Sequence, residues 1–267
     1  MPQALSGQAL RKASALRGFT LLELLIVVSI VGLLLGLMVP VLAAAIGFAE
    51  QTSCASNLHH IGIATEMYLK DHDGWFFPLQ DVKGGAGSGG KLWYYGFESN
   101  KSASSAWGTR VVDLSKGKLA PYLGGDESVG TCPAIRSAGG AGCKYAGWTW
   151  SYGVNAELTG AVGTTKTKNF ASIKPNDTGR TALFADSAQL NTWQAPASPQ
   201  HPLIEEWFYI QTGGGTVHFR HNRMANVLFA DWHVEACGPA AGSLSPLMPG
   251  ACIGSLDPND VLLTPRG

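Results

Sequence analysis

Charge is what this sequence is short of: only 14% of its 267 residues are Asp, Glu, Lys or Arg, and none of these lies between Leu24 and Ala49. Bases and acids number 19 each, and setting aside Arg11, Lys12 and Arg17 of the first eighteen residues leaves 16 bases against 19 acids. Those 16 are scattered, which excludes nucleic acid as a main partner, because phosphate binding needs a concentrated Lys/Arg surface. The five cysteines, Cys54, Cys132, Cys143, Cys237 and Cys252, include no Cys-x-x-Cys pair, so a local metal knuckle or redox motif is excluded. No serine stands in a Gly-x-Ser-x-Gly elbow and no histidine has a recognisable catalytic partner order, so no enzyme is expected. The run Gly84-Gly85-Ala86-Gly87-Ser88-Gly89-Gly90 lacks the Gly-Lys-Ser/Thr ending of a phosphate loop and reads as a surface loop.

What is present begins with the uncharged run. Its 26 residues, with Ser29 as the sole hydroxyl, would span roughly 39 Å as a helix, enough to cross a bilayer with tilt. Positive charges precede it and are absent just after it, which predicts a cytoplasmic N-terminus and a body on the far side. Glu23 at the entrance is the anomaly, since a carboxylate beside lipid is costly without a partner. An ordinary secretory signal cut near Ala43-Ala44-Ala45 is a competing reading, but such signals have a shorter apolar region.

The residues Arg17-Gly18-Phe19-Thr20-Leu21-Leu22-Glu23-Leu24 resemble the type IV prepilin processing site, and Pro40 falls where pilins carry a helix-bending proline. The resemblance implies cleavage between Gly18 and Phe19 by a prepilin peptidase and N-methylation of the new amine. It also implies pairing of Glu23 with that amine on a neighbouring subunit, and assembly by an inner-membrane platform. It implies a pilin-like α+β lollipop, a long N-terminal helix packed on an antiparallel β-sheet domain. The organisation expected is a cytoplasmic leader over 1–18, a transmembrane and polymerisation helix over 19–49, a helical extension over 50–74 and a periplasmic β-rich body over 75–267. The helix is expected to kink or locally melt at Pro40. Beyond the membrane, Leu58, Ile61, Ile63, Met67 and Leu69 are its expected apolar face, and Asp71-His72-Asp73-Gly74 its end.

The body carries 34 Gly and 14 Pro with the rest of the chain, a composition for short strands and ordered loops. Strands are predicted over 148–154, 181–185, 206–210, 216–219 and 225–230. Leu183-Phe184-Ala185-Asp186 echoes Leu228-Phe229-Ala230-Asp231, as two neighbouring strands that end alike would. The stretch from His221 to Asp231-Trp232 is similar to the His-x9-Asp-Gly signature of a pseudopilin subfamily, with Trp232 in place of the glycine. Asn57 through Gly74, and Cys132-Pro133 through Asn155, also resemble it.

His221, Asp231, His233 and Asp186 make a divalent-metal donor set if their strand ends converge. The plainer reading is a His–Asp hydrogen bond pinning a hairpin. Asp71, Asp73 and Gly74, or Asp126 with Glu127, invite calcium, although they lack the later ligands of a calcium loop; no cofactor is required. Cys132 with Cys143, and Cys237 with Cys252, are spaced to close local disulfides, leaving Cys54 single. Trp148, Trp150, Tyr152, Trp207, Phe208 and Tyr209 suit a core or an aromatic ligand surface. The function expected is a structural pseudopilin of a type II secretion-like filament. The alternatives are a type IV pilin for adhesion, motility or DNA uptake, and an anchored envelope module that binds glycan or metal.

Overall fold

A computed structural model describes residues 19–81, 89–137, 141–164, 166–259 and 261–264. It has an α+β architecture in which a long N-terminal helix, α1 (Leu21–Asp71), precedes a domain of antiparallel and mixed sheets. Two compact units divide the chain, one ending at Ala45 and one starting at Ile46.

In the first unit, α1 starts on a capping box. Glu23 N donates to Thr20 Oγ1 at 3.2 Å, while Glu23 Oε2 accepts from Thr20 N and Oγ1, both at 2.9 Å. Two orphan amides of the first turn are thereby satisfied. Ser29 returns its hydroxyl to the Leu25 carbonyl at 2.7 Å, so no polar side chain between Leu24 and Ala45 is left seeking water. The helix continues through Pro40, so of the two expected outcomes local melting does not occur. The missing amide costs one bond, to the Gly36 carbonyl, and the turns on either side hold the backbone helical.

In the second unit, α1 buries Cys54, Leu58, Ile61, Thr65 and Tyr68, a three-to-four spacing down one face, with Gly62, Ala64 and Leu69 beside it. Ile63 and Met67, expected on that face, are exposed instead. Gly62 lets the sheet approach: a side-chain carbon there would lie 3.2 Å from both terminal methyls of Leu228. The helix ends as expected, with Gly74 at φ +78° donating to the Leu69 carbonyl at 2.8 Å.

Thirteen strands follow among the described residues. They are β1 (Gln80–Asp81), β2 (Gly90–Trp93), β3 (Gly96–Ser99), β4 (Ala141–Gly142), β5 (Tyr152–Asn155), β6 (Ala182–Asp186) and β7 (Gln189–Asn191), then β8 (Leu203–Glu205), β9 (Tyr209–Ile210), β10 (Val217–His218), β11 (Ala225–Phe229), β12 (Val234–Cys237) and β13 (Ile253–Gly254). The central sheet has the order β12-β11-β6-β5-β9, antiparallel except for β5 with β9. Leu228, Phe184, Tyr152 and Val154 share a core with the α1 residues Cys54, Leu58 and Ile61. On the opposite side Val227, Phe229, Ala185 and Ile210 pack with Phe219, Leu256 and Val261. Both β6 and β11 are therefore buried along their whole length, which is why they read as apolar runs without alternation.

The β2–β3 hairpin turns on Tyr94-Tyr95, with Trp93 opposite Gly96. These tyrosines are buried, and the Tyr94 hydroxyl donates toward the Tyr152 and Phe208 carbonyls, each 2.8 Å away. Nothing in the pair resembles a usual turn dipeptide, so the hairpin had no sequence signal.

Between β11 and β12, Trp232 holds φ +72° where the subfamily signature has glycine. The tight turn forms regardless, closed by Trp232 N to the Phe229 carbonyl at 2.9 Å, and the indole stacks on Phe170 at 5.7 Å. Stacking thus offsets a left-handed backbone that costs about 1–2 kcal/mol for a non-glycine residue. Trp232→Ala, which keeps the strain and loses the ring, is expected to destabilise by about 2 kcal/mol. Trp232→Gly should cost about 1 kcal/mol less, because glycine accepts that φ freely. Denaturant unfolding of the two variants checks this order.

Candidate functional site

The N-terminal segment is defined by what surrounds it. Phe19 through Ala49 are all exposed, including every large apolar side chain from Leu21 to Phe48. The helix is long and apolar enough to cross a membrane. An uncharged surface on every side of a helix cannot be at rest in water and calls for lipid or other apolar helices. Phe19 and Glu23 stand at its start, and among the described residues Glu23 Oε2 is engaged by Thr20 while Oε1 has no partner. Gly18 lies outside the described residues, and Pro40 lies within α1.

A second constellation lies in the body, around the buried carboxylate of Asp186 at the end of β6. Oδ1 accepts from Arg220 at 2.7 Å, and Oδ2 accepts from the Asn226 amide at 2.8 Å and faces His221 Nε2 at 3.3 Å. Burial pushes this carboxyl up, but Arg220, His221 and the Asn226 amide together hold it below the usual carboxylate range. Arg220 also donates to the Ser151 carbonyl at 2.7 Å and to His218 Nδ1 at 3.1 Å. Burial, then the Arg220 charge, pushes His218 down to about 3, so its ring is neutral and free to accept. His221 is aimed inward by a two-residue turn in which Asn222 and Arg223 take φ of 52° and 64°, closed by mutual bonds between His221 and Met224 at 3.0 Å.

Two more groups reach the same spot: Cys54 Sγ lies 3.3 Å from Asp186 Oδ1 and 3.2 Å from the Tyr152 hydroxyl, and Cys132 Sγ lies 3.4 Å from His221 Nε2. Cys54 comes from α1, and Cys132 from the residue before a short helix at Pro133–Ser137.

Of the four residues predicted as a metal set, the structure brings His221 and Asp186 together and places Asp231 and His233 elsewhere. The echoing segments are indeed neighbours, but β6 and β11 run antiparallel, with Val227 opposite Ala185. Their terminal aspartates therefore lie at opposite ends of the sheet. Asp231 instead bonds His233 across 2.5 Å in the β11–β12 turn, both side chains being partly exposed, and His233 stacks on Phe229. That is the hairpin pin of the plainer reading.

Neither predicted disulfide forms. Cys132 is bonded to Cys54, which had been expected to stay single, and Cys143 and Cys252 are free. Cα atoms 78 residues apart are brought to 5.1 Å because α1 packs over the segment that carries Cys132, and nothing local in the sequence reports that packing. At the positions considered for calcium, Asp71 accepts from the Tyr122 hydroxyl at 3.0 Å and Asp126 caps the turn at Ser128 at 2.9 Å.

A buried acid missed by the sequence reading is Glu206. Its Oε1 accepts from Thr149 N at 2.5 Å and Oγ1 at 3.1 Å, and from Trp150 N at 3.3 Å, while among the described residues Oε2 has no partner. Burial raises the group to about 7 against those bonds and the nearby Lys144. A carboxyl whose folded value lies above its unfolded one of about 4.5 stabilises the fold at low pH, and that contribution is lost as pH rises to 7. Glu206→Gln should therefore remove roughly 2.5 kcal/mol of stability change between pH 5 and 8. Tryptophan fluorescence during thermal unfolding measures it in the body alone, since all eight tryptophans follow α1.

No curated protein and no solved structure matches this chain. Residues 15–39 match the prokaryotic N-terminal methylation motif. The match takes in Gly18, Phe19 and Glu23 and stops one residue before Pro40. This chain thus carries a prepilin-type N-terminal methylation signal, set on the first half of a helix that is apolar enough to span a membrane.

Proposed function

We propose that the chain is a structural pseudopilin, cleaved between Gly18 and Phe19, held in a bacterial inner membrane with its body in the periplasm, and assembled into a type II secretion-like filament through α1. The observation that carries this reading is the uncharged, all-round apolar stretch of α1 with a single carboxylate, Glu23, at its entrance beside the methylation motif. In a filament that stretch would pack on the same stretch of other subunits. Glu23 Oε1 would then take the methylated Phe19 amine of a neighbour, so that two charges costly in an apolar medium neutralise each other. The partners are other pilin-like subunits, the prepilin peptidase and the inner-membrane assembly platform, and the role is mechanical, without catalysis.

Mass spectrometry of the mature N-terminus tests the processing step: N-methylated Phe19 is expected, and cleavage after Ala45 would overturn it. Immunogold labelling and secretion assays test the assignment to secretion. Loss of an exported protein in a deletion strain, with filaments only on overexpression, is the expected result. Surface filaments at native levels with normal secretion would make it a type IV pilin, and stoichiometric glycan binding without filaments an anchored binding module.

A further inference from the structure

Among the described residues, one group of metal-capable side chains converges: Cys54, Cys132, Asp186 and His221, all buried, each with a ligand atom within 4.8 Å of the other three. We propose that, once the bond between Cys54 and Cys132 is reduced, these four side chains bind one divalent ion of the zinc class in a tetrahedral site. Two sulfurs, an imidazole nitrogen and one carboxylate oxygen are the donor types and the number that Zn2+ takes in closed structural sites.

The surroundings fit a metal as well as the donors do. Two thiolates and one carboxylate exceed the charge of a divalent cation by one, and Arg220, 2.7 Å from Asp186 Oδ1, returns the site to neutrality from outside the ligand shell. The Tyr152 hydroxyl, 3.2 Å from Cys54 Sγ, is placed to donate to a thiolate, and is itself held by Asn57 at 3.2 Å. The Asn226 amide at 2.8 Å orients Asp186. Each ligand comes from a different segment: α1, the stretch before Pro133, the end of β6 and the turn before β11. An ion there would bind the helix to the sheet as the disulfide does, without needing an oxidising surrounding.

The two states exchange by balanced chemistry. A dithiol reductant delivers two electrons and two protons to the sulfur–sulfur bond, giving two thiols while the reductant closes its own disulfide. The ion then displaces those two protons to solvent as it binds the thiolates.

The test uses the full-length chain in detergent micelles under anaerobic conditions, reduced with a water-soluble phosphine and titrated with Co2+. The expected result is one Co2+ per chain with thiolate-to-cobalt charge transfer and the d–d bands of a tetrahedral ion, bleached by Zn2+ and lost when the chain is first oxidised. His221→Ala should lose that spectrum. The Cys143→Ser/Cys252→Ser variant, which alters free thiols outside the cluster, should keep it. Absence of charge transfer in the reduced chain, or its persistence in His221→Ala, would overturn the site. X-ray absorption of the zinc-loaded wild-type chain decides without any variant: two sulfurs at about 2.3 Å and two nitrogen or oxygen neighbours at about 2.0–2.1 Å are expected. Any other sulfur count would also overturn it.

Discussion

Glu23→Val in the full chain is expected to abolish incorporation into filaments while membrane insertion and cleavage after Gly18 continue. Valine makes the entrance of the helix more apolar, so insertion is favoured and not impaired. The helix start also survives, because the Thr20 hydroxyl still accepts the amide of residue 23, the contact measured at 3.2 Å. In the proposed filament, what would disappear is the one carboxylate placed to meet a neighbour's Phe19 amine, which would then stay unpaired among apolar helices. A fall of at least about tenfold in the sheared filament fraction is expected, since stranding a desolvated charge costs far more than one exposed contact. Glu23→Gln separates charge from hydrogen bonding, as it can still accept from Thr20 but cannot neutralise an amine. It should fail as Val does. Unchanged incorporation of Glu23→Val would remove the central support of the filament reading.

Arg220→Met should be among the most damaging single changes in the body, costing about 3–5 kcal/mol. The guanidinium is buried against Asp186, Ser151 and His218, and removing it leaves Asp186 a buried carboxylate without its counter-charge. The double variant Asp186→Asn/Arg220→Met should cost less than Arg220→Met alone, because no charge is then stranded. The pH dependence has a definite sign. Asp186 is held below its usual value of about 3.8 in the folded chain, so its contribution is present above that value and lost as pH falls through the folded one. In Arg220→Met the carboxyl is no longer held down, so wild type and variant should converge in acid. Urea midpoints read by tryptophan fluorescence at pH 7 and at successive values below pH 3.8 measure both effects.

How far each feature could be read in advance depended on the range of the interaction behind it. The membrane-competent helix and its stop at Gly74 rest on contacts within a few residues, and both were legible; the cap at Thr20 and Glu23 is equally local, but it emerged only in the structure. The strands at 152–155, 182–186 and 225–229 were found because burial on both sides leaves short apolar runs between turn residues. The Tyr94-Tyr95 turn was not, since its stability comes from burial of two rings and bonds to Tyr152 and Phe208 far along the chain.

The candidate sites divide in the same way. By itself the sequence determined the N-terminal methylation motif and the membrane-competent run, because both are patterns of consecutive residues: the motif over 15–39 and the uncharged stretch from Leu24 to Ala49. Only the tertiary structure decided which of the cysteines, histidines and aspartates meet. Equal-looking strand ends at Asp186 and Asp231 are separated by antiparallel pairing, and Cys54 is carried to Cys132 by the packing of α1 on the sheet. Those contacts join residues up to 167 positions apart, from Cys54 to His221, and no local pattern encodes a distance that only the closed core sets.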